Sequence, residues 1–151
     1  MKKIVILIAA VLLSTTCFAA TPQESLESMV SVMKKMTIIS GAIIAGGNQV
    51  VHMSVDTLQR KGTYSEYRTF YYGTTYKITG IGSDGISDLD IVIIDANGNE
   101  VVKDTKADNL PDVTFTPTST GTYTIKVLAY STSDLAASQE NFFGIVISYV
   151  K

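Results

Sequence analysis

Leu89-Asp90-Ile91-Val92-Ile93-Ile94-Asp95-Ala96-Asn97-Gly98-Asn99-Glu100-Val101-Val102 is the stretch on which the fold turns. Leu89, Ile91 and Ile93 alternate with Asp90 and Val92, and a period of two puts them on one face of a β-strand. Asn97-Gly98 falls between Ile94 and Val101 and predicts a two-residue hairpin turn with positive φ at both central positions. The same period recurs on both sides. Strand-like runs cover Val50–Leu58, Thr63–Phe70, Thr75–Ile81, Leu89–Asp95, Val113–Thr116, Thr122–Ala129 and Phe142–Val150. Tyr123, Ile125 and Val127 make a second inward set, and Phe143, Ile145, Ile147 and Tyr149 a third. Gly73, Gly80, Gly82, Gly85 and Gly121 punctuate the turns. Seven or eight short strands at this spacing predict a mainly β protein, a jelly-roll-like antiparallel β-sandwich.

On the outward face of the Leu89 strand, Asp90 is followed by apolar Val92 and Ile94. A solvent-facing antiparallel sheet is polar there, so a cover is expected. The N-terminal helix is the nearest candidate. Thr21-Pro22-Gln23-Glu24 reads as a capping box, with Thr21 at the N-cap and Pro22 at the first helical position. Leu26, Met29, Val30 and Met33 follow at helical spacing and predict the packed stripe. Met29, Met33 and Met36 are read as packing onto the body, with partner docking as the alternative. Gly46-Gly47 is expected to stop the helix.

Ahead of that helix, Met1-Lys2-Lys3 precedes an apolar run from Ile4 to Leu13, then Ser14, Thr15, Thr16, Cys17, Phe18 and Ala19. A short basic start, an apolar stretch and a small-residue site make a secretory signal peptide. Cleavage after Ala19 places Cys17 at the −3 position. A retained anchor or a lipidated Cys17 is the weaker reading, since the run is short of the roughly 20 residues that cross a bilayer. The expected division is a signal over 1–19, a helical segment over 20–47 and a β domain over 48–151. The protein is therefore expected to be exported, either periplasmic or secreted, with no transmembrane segment after cleavage.

Cys17 is the only cysteine, so the processed chain carries no disulfide. Hydrophobic residues make up 46% and charged residues 17%, a globular balance that can build a core without staples. Without Lys2 and Lys3, ten basic residues face fourteen acidic ones. That excess lacks the basic footprint of a nucleic-acid binder.

Several motifs together resemble a known family. Gly73-Thr74-Thr75-Tyr76-Lys77-Ile78 leads to Ser87-Asp88-Leu89-Asp90-Ile91-Val92-Ile93-Ile94-Asp95-Ala96-Asn97-Gly98, then Asp104 and Pro111-Asp112-Val113-Thr114-Phe115-Thr116-Pro117, and Thr120-Gly121-Thr122-Tyr123-Thr124-Ile125-Lys126-Val127. This succession, over roughly residues 60 to 150, resembles the bacterial pre-peptidase C-terminal (PPC) domain. The whole chain is similar to small exported proteins built from a helix and one such module. The resemblance implies a jelly-roll-like sandwich and an accessory role, since such modules trail secreted peptidases and related collagen-binding modules bind calcium and matrix protein. Here no peptidase domain accompanies the module, which shifts the expectation to a free-standing binding role.

The acidic segment supplies the candidate metal site. Asp84, Asp88, Asp90, Asp104 and Asp108 are candidate calcium ligands, because Ca²⁺ takes six to eight oxygens from Asp side chains and loop carbonyls. Asp88 and Asp90 share a strand face, Asp84 lies in the loop before them, and Asp104 and Asp108 come from the next connection. No EF-hand is present: counting from Asp95, Glu100 stands where the Gly belongs and Lys106 where the bidentate Glu belongs. The alternative is that these residues cap turns.

Catalysis is disfavoured. His52 is the single histidine, with Asp56 four residues on, and no Gly-x-Ser-x-Gly elbow occurs. One histidine is too few for a zinc site. Tyr64, Tyr67, Tyr71, Tyr72 and Tyr76 crowd one region, as in β-sandwich packing or a binding edge. The sequence thus predicts a non-enzymatic exported binding or accessory module for a protein or glycan, calcium being its one candidate cofactor. A partner or inhibitor of a secreted peptidase is the alternative, and a hydrolase the least favoured.

Overall fold

The computed structural model describes residues 22–132 and 141–150. The signal segment over 1–19, with Cys17, and the expected N-cap Thr21 lie outside the described residues.

Helix α1 spans Pro22–Ala45. It ends as Gly46-Gly47 predicts. Gly47 takes φ +81°, its N–H donates to Ile44 O at 3.0 Å, and Asn48 N–H donates to Ile43 O at 3.1 Å. These two bonds are the Schellman pair, which needs a residue without Cβ strain at the left-handed position. The packed face differs from the expected one. Val32 and Met36 are buried, with Ile39 and Ile43 packed beside them, whereas Leu26, Val30 and Met33 are exposed. The helix carries two apolar stripes about a quarter-turn apart, and the sheet takes the one at Val32, Met36, Ile39 and Ile43. Each fully buried side chain there contributes on the order of 1.5–3 kcal/mol. By length and composition this helix, from Gln23 to Ala45, could also cross a membrane. Lys34 and Lys35 interrupt it, and the Lys35 ammonium donates to Gly82 O and Asp84 Oδ1 of the β-domain at 3.2 and 2.6 Å.

Eight strands follow: β1 (Gln49–Leu58), β2 (Thr63–Phe70), β3 (Tyr76–Gly82), β4 (Ile86–Ile94), β5 (Glu100–Lys103), β6 (Asp112–Phe115), β7 (Gly121–Thr132) and β8 (Asn141–Tyr149). They form two four-stranded sheets, ordered β1-β8-β3-β6 and β2-β7-β4-β5, with every neighbouring pair antiparallel. The protein is thus mainly β, a jelly-roll-like sandwich preceded by one helix. The expected inward sets fill the interior: Leu89, Ile91, Ile93, Ile125, Val127, Phe143, Ile145 and Ile147 are all buried. Phe70 caps one end, its ring edge-on to Tyr76 and Phe115 with centroids 4.7 and 5.0 Å apart.

Strand β8 is buried on both faces because α1 lies across its outside. Val146 and Ile81 meet Val32 and Met36 there. Gly144 permits the approach, since a Cβ on it would sit 2.4 Å from Met36 Sδ and 3.1 Å from Val32 Cγ1. The helix therefore covers the β8 sheet and not the outer face of β4. Val92 is nevertheless buried. The register sets it between Lys103 of β5 and Lys126 of β7. Lysine stems shield apolar surface while their ammonium groups stay in water, so no second layer is required.

The hairpin at Asn97-Gly98 also differs from the expected two-residue turn. Gly98 has φ +87° but Asn97 does not enter the left-handed region. Gly98 N–H donates to Asp95 O at 3.1 Å, and Asp95 N–H to Asn99 O at 2.9 Å. This is a longer loop, a turn followed by a left-handed glycine. The Asp95 carboxylate sets it by accepting from Asn97 N–H and Asn99 N–H, both at 2.8 Å. Those bonds hold its carboxyl below the usual pKa, the Asn99 side chain contributing most.

Candidate functional site

Strands β1 and β2 are the first strands of their sheets, and each pairs on one side only, with β8 and β7. Between these two edges the sandwich is closed by side chains instead of backbone hydrogen bonds. On β2, Tyr64, Glu66, Arg68 and Phe70 alternate inward, and the register sets Glu66 opposite Ile125 and Arg68 opposite Tyr123. A carboxylate and a guanidinium thus occupy inward-facing positions beside core residues.

Glu66 is the centre of the arrangement. Its carboxylate is nearly buried, with 9% of the side chain exposed. It accepts from Ser54 Oγ at 3.1 Å and Tyr64 OH at 3.5 Å, pairs with His52 Nε2 at 3.1 Å, and receives Arg68 Nε. The Arg68 Nη2 also meets His52 Nε2. A buried charge is tolerated only when paired and hydrogen-bonded, and here the partners come from both edges. Burial lowers the His52 pKa; Glu66 raises it and Arg68 lowers it again, leaving a net fall below the ordinary 6.5. Tyr64 is raised, first by burial and then by Glu66.

Beside this network lies an open cleft of about 510 Å³, lined by His52, Arg68, Tyr71, Tyr76, Tyr149 and their neighbours. Tyr71 and Tyr72 lie beyond the end of β2 and are both exposed. Tyr71 N–H donates to Tyr76 OH at 3.3 Å, which fixes the rim to the aromatic cap. The Tyr149 hydroxyl donates to Gln49 Oε1 at the opposite side. Sequence reasoning set His52 beside Asp56. Asp56 instead accepts from Thr57 N–H at 2.8 Å, and Glu66 takes its place. The signal that points to the cleft is the charge on the inward-facing half of β2, which marks an edge strand.

The structure places the five aspartates expected to bind calcium in different settings. Asp84 stands under the helix, bound by Lys35 at 2.6 Å and Ser31 at 3.4 Å, and the Lys35 hydrogen bond holds its carboxyl below the usual range. Asp104 is buried and accepts from Lys106 N–H at 2.9 Å and Asp112 N–H at 3.3 Å. Asp108 accepts from Leu110 N–H at 2.8 Å. These oxygens organise the 104–112 loop, which is the turn-capping alternative. Asp88 and Asp90 are half-buried on β4. Burial raises the Asp90 pKa, and Asp88, Asp104 and Asp108 raise it further. The four acids thus crowd one another, but among the described residues no group of three or more His, Cys, Asp or Glu is placed to hold a metal ion. The Lys35 pair holds Asp84 at the helix, and Asp104 and Asp108 accept from backbone N–H groups.

No family model and no curated protein matches this chain. Among solved structures it is similar to the pre-peptidase C-terminal domain of collagenase from Bacillus anthracis, at 14% identity and a TM-score of 0.49 over 64% of this chain and 87% of that one. A periplasmic inhibitor of g-type lysozyme from Aeromonas hydrophila matches at 12% identity and a TM-score of 0.50, over 70% and 90% of the two chains. A CBM4 carbohydrate-binding module matches at 14% identity and a TM-score of 0.41, over 69% and 79%. Likeness at this identity concerns the fold alone. The fold and the cleft together define a β-sandwich with an aromatic, charge-paired opening between two of its edge strands, β1 and β2. A PPC domain stands among its structural neighbours.

Proposed function

We propose that the protein is an exported, non-catalytic binding module whose ligand enters the cleft between β1 and β2. The carrying observation is the cleft itself, a 510 Å³ opening in which exposed Tyr71 stands beside Arg68 and His52. Concave, partly apolar openings with a few convergent polar groups are the usual form of a ligand site. The network beside it is not arranged for nucleophilic catalysis. Ser54 donates to Glu66 and not to His52, so the serine–histidine contact of that chemistry is absent from this network. Export is supported by the basic, apolar and small-residue order of residues 1–19. The test is capture from the cell's own envelope and culture fluid by the immobilised protein and by its Tyr71→Ala and Arg68→Gln variants. Material retained by the parent and lost by both variants is the expected result. Retention that ignores both substitutions overturns the reading.

A second reading, partner or inhibitor of a secreted enzyme, is favoured by the unburied stripe of α1. Leu26, Val30 and Met33 continue across Met53 and Val55 on β1 as exposed apolar surface, and contiguous apolar surface marks contact sites. Met33→Glu with Met53→Glu is expected to abolish capture by that route and leave the cleft route intact.

A further inference from the structure

We infer that the ligand of the cleft is a neutral saccharide. The inference rests on the reading of the cleft as the binding site and adds the class of ligand.

Charge comes first. The cation of the cleft, Arg68, is held by Glu66 through Nε. Both Glu66 oxygens already have partners from Ser54, Tyr64, His52 and Arg68. An anionic ligand therefore meets no uncompensated cation, and a cationic one meets a carboxylate already matched. An anion on Arg68 competes with the Glu66 carboxylate, and a cation on Glu66 competes with Arg68; displacing either partner strands the nearly buried Glu66 charge or its guanidinium partner. A ligand that carries hydrogen-bonding groups without net charge avoids that cost.

Shape and surface come second. Phe70 and Tyr76 form its buried back wall, while exposed Tyr71 and partly exposed Tyr149 offer ring surface, with Thr69, Thr74 and the partly exposed Arg68 between them. Flat aromatic rings offer large contact area at low entropy cost. Hydroxyl and guanidinium groups alongside them suit a ligand with one C–H face and a rim of hydroxyls, which is the form of a pyranose ring. Ligand sites generally run from about 300 to 1,000 Å³, so 510 Å³ fits a short stretch of oligosaccharide. The cleft is open, so the chain can continue past Tyr71 into solvent.

An extended peptide is less well matched. Strand addition needs a row of unpaired backbone N–H and C=O groups along one edge. β1 and β2 each keep one unpaired backbone edge, but the His52 and Ser54 side chains cross to Glu66 between those edges and stand where an added strand would lie.

The test uses the processed protein purified after export, titrated by heteronuclear NMR with cello- and chito-oligosaccharides, a uronic-acid oligosaccharide and an extended apolar peptide. Parent, Tyr71→Ala and Arg68→Gln proteins are compared, with circular dichroism as the check on folding. Tyr71 is 60% exposed, so its truncation spares the core. The expected result is shift changes around His52, Arg68 and Tyr71 with a neutral oligosaccharide, and affinity weakened by about tenfold or more in Tyr71→Ala. Cleft binding of the uronic acid or the peptide in preference to neutral sugars overturns the saccharide assignment and leaves the cleft as the binding site. Shifts with none of these probes, or shifts that Tyr71→Ala does not change, overturn both.

Discussion

At the scale of single residues, Ser83 and the acidic loop carry the sharpest expectations. Ser83 is fully buried, and its Oγ has no hydrogen-bond partner among the described residues. A buried unsatisfied hydroxyl costs roughly 1–3 kcal/mol, so Ser83→Ala is expected to raise stability by about 1 kcal/mol in urea unfolding. A loss instead would mean that the hydroxyl has a partner. Asp104 and Asp108 already give their oxygens to backbone N–H groups. Calcium is therefore expected to leave the melting temperature within about 1 °C of the chelated protein, because a cation that does not bind the folded state cannot stabilise it. A calcium-dependent rise removed by both Asp88→Ala and Asp90→Ala would reinstate the metal site.

At the scale of elements, the contact between α1 and β8 behaves as one unit. Gly144 leaves the space that Met36 fills. Gly144→Ala is expected to cost about 1–3 kcal/mol through overpacking, and Met36→Ala about 2–5 kcal/mol through the cavity it leaves. The two are not independent: the alanine methyl enters space that Met36 vacates, so the double variant should lose less than the two single costs added together. Chemical denaturation of all four proteins measures that coupling. Strict additivity would show that the helix and the sheet do not meet at this point. The β1–β2 seam is a second unit, held by the side chains of the Glu66 network, since these two strands form their ladders with β8 and β7 and not with each other.

At the scale of the whole molecule, acid stability follows from three kinds of group. Burial lowers His52 below 6.5 in the folded protein. As pH falls, the unfolded chain takes that proton first, so stability declines with acidification just below 6.5. At lower pH, Asp84 and Asp112 are lost as supports. The Lys35 hydrogen bond depresses Asp84; for Asp112, burial opposes ionisation but Lys77 and Lys106 outweigh it. Their contribution is present above 3.8 and disappears as pH falls through their folded values. Asp90, raised chiefly by burial, acts the other way: its contribution is present below 3.8 and is lost as pH rises through its folded value. Thermal melts from about pH 7.5 to pH 5 should show a decline that His52→Gln flattens. Identical slopes in the two proteins would remove His52 from the account.

The amino-acid sequence by itself determined the strands and the sites where the chain turns. Leu89, Ile91 and Ile93 reach the core because their alternation leaves one buried face available. Gly46-Gly47 stops the helix because Gly47 supplies the left-handed position that the Schellman bonds need. These are local matters, settled within a few residues. Tertiary structure alone decided which of two apolar stripes on α1 is packed, since both satisfy the same helical spacing and Gly144 makes room for Met36 and Val32 of one of them. It also decided that Asp84 belongs to Lys35 and that Glu66 of β2 meets His52 of β1, because contacts between separate elements are set by how the sheets pack and not by spacing along the chain.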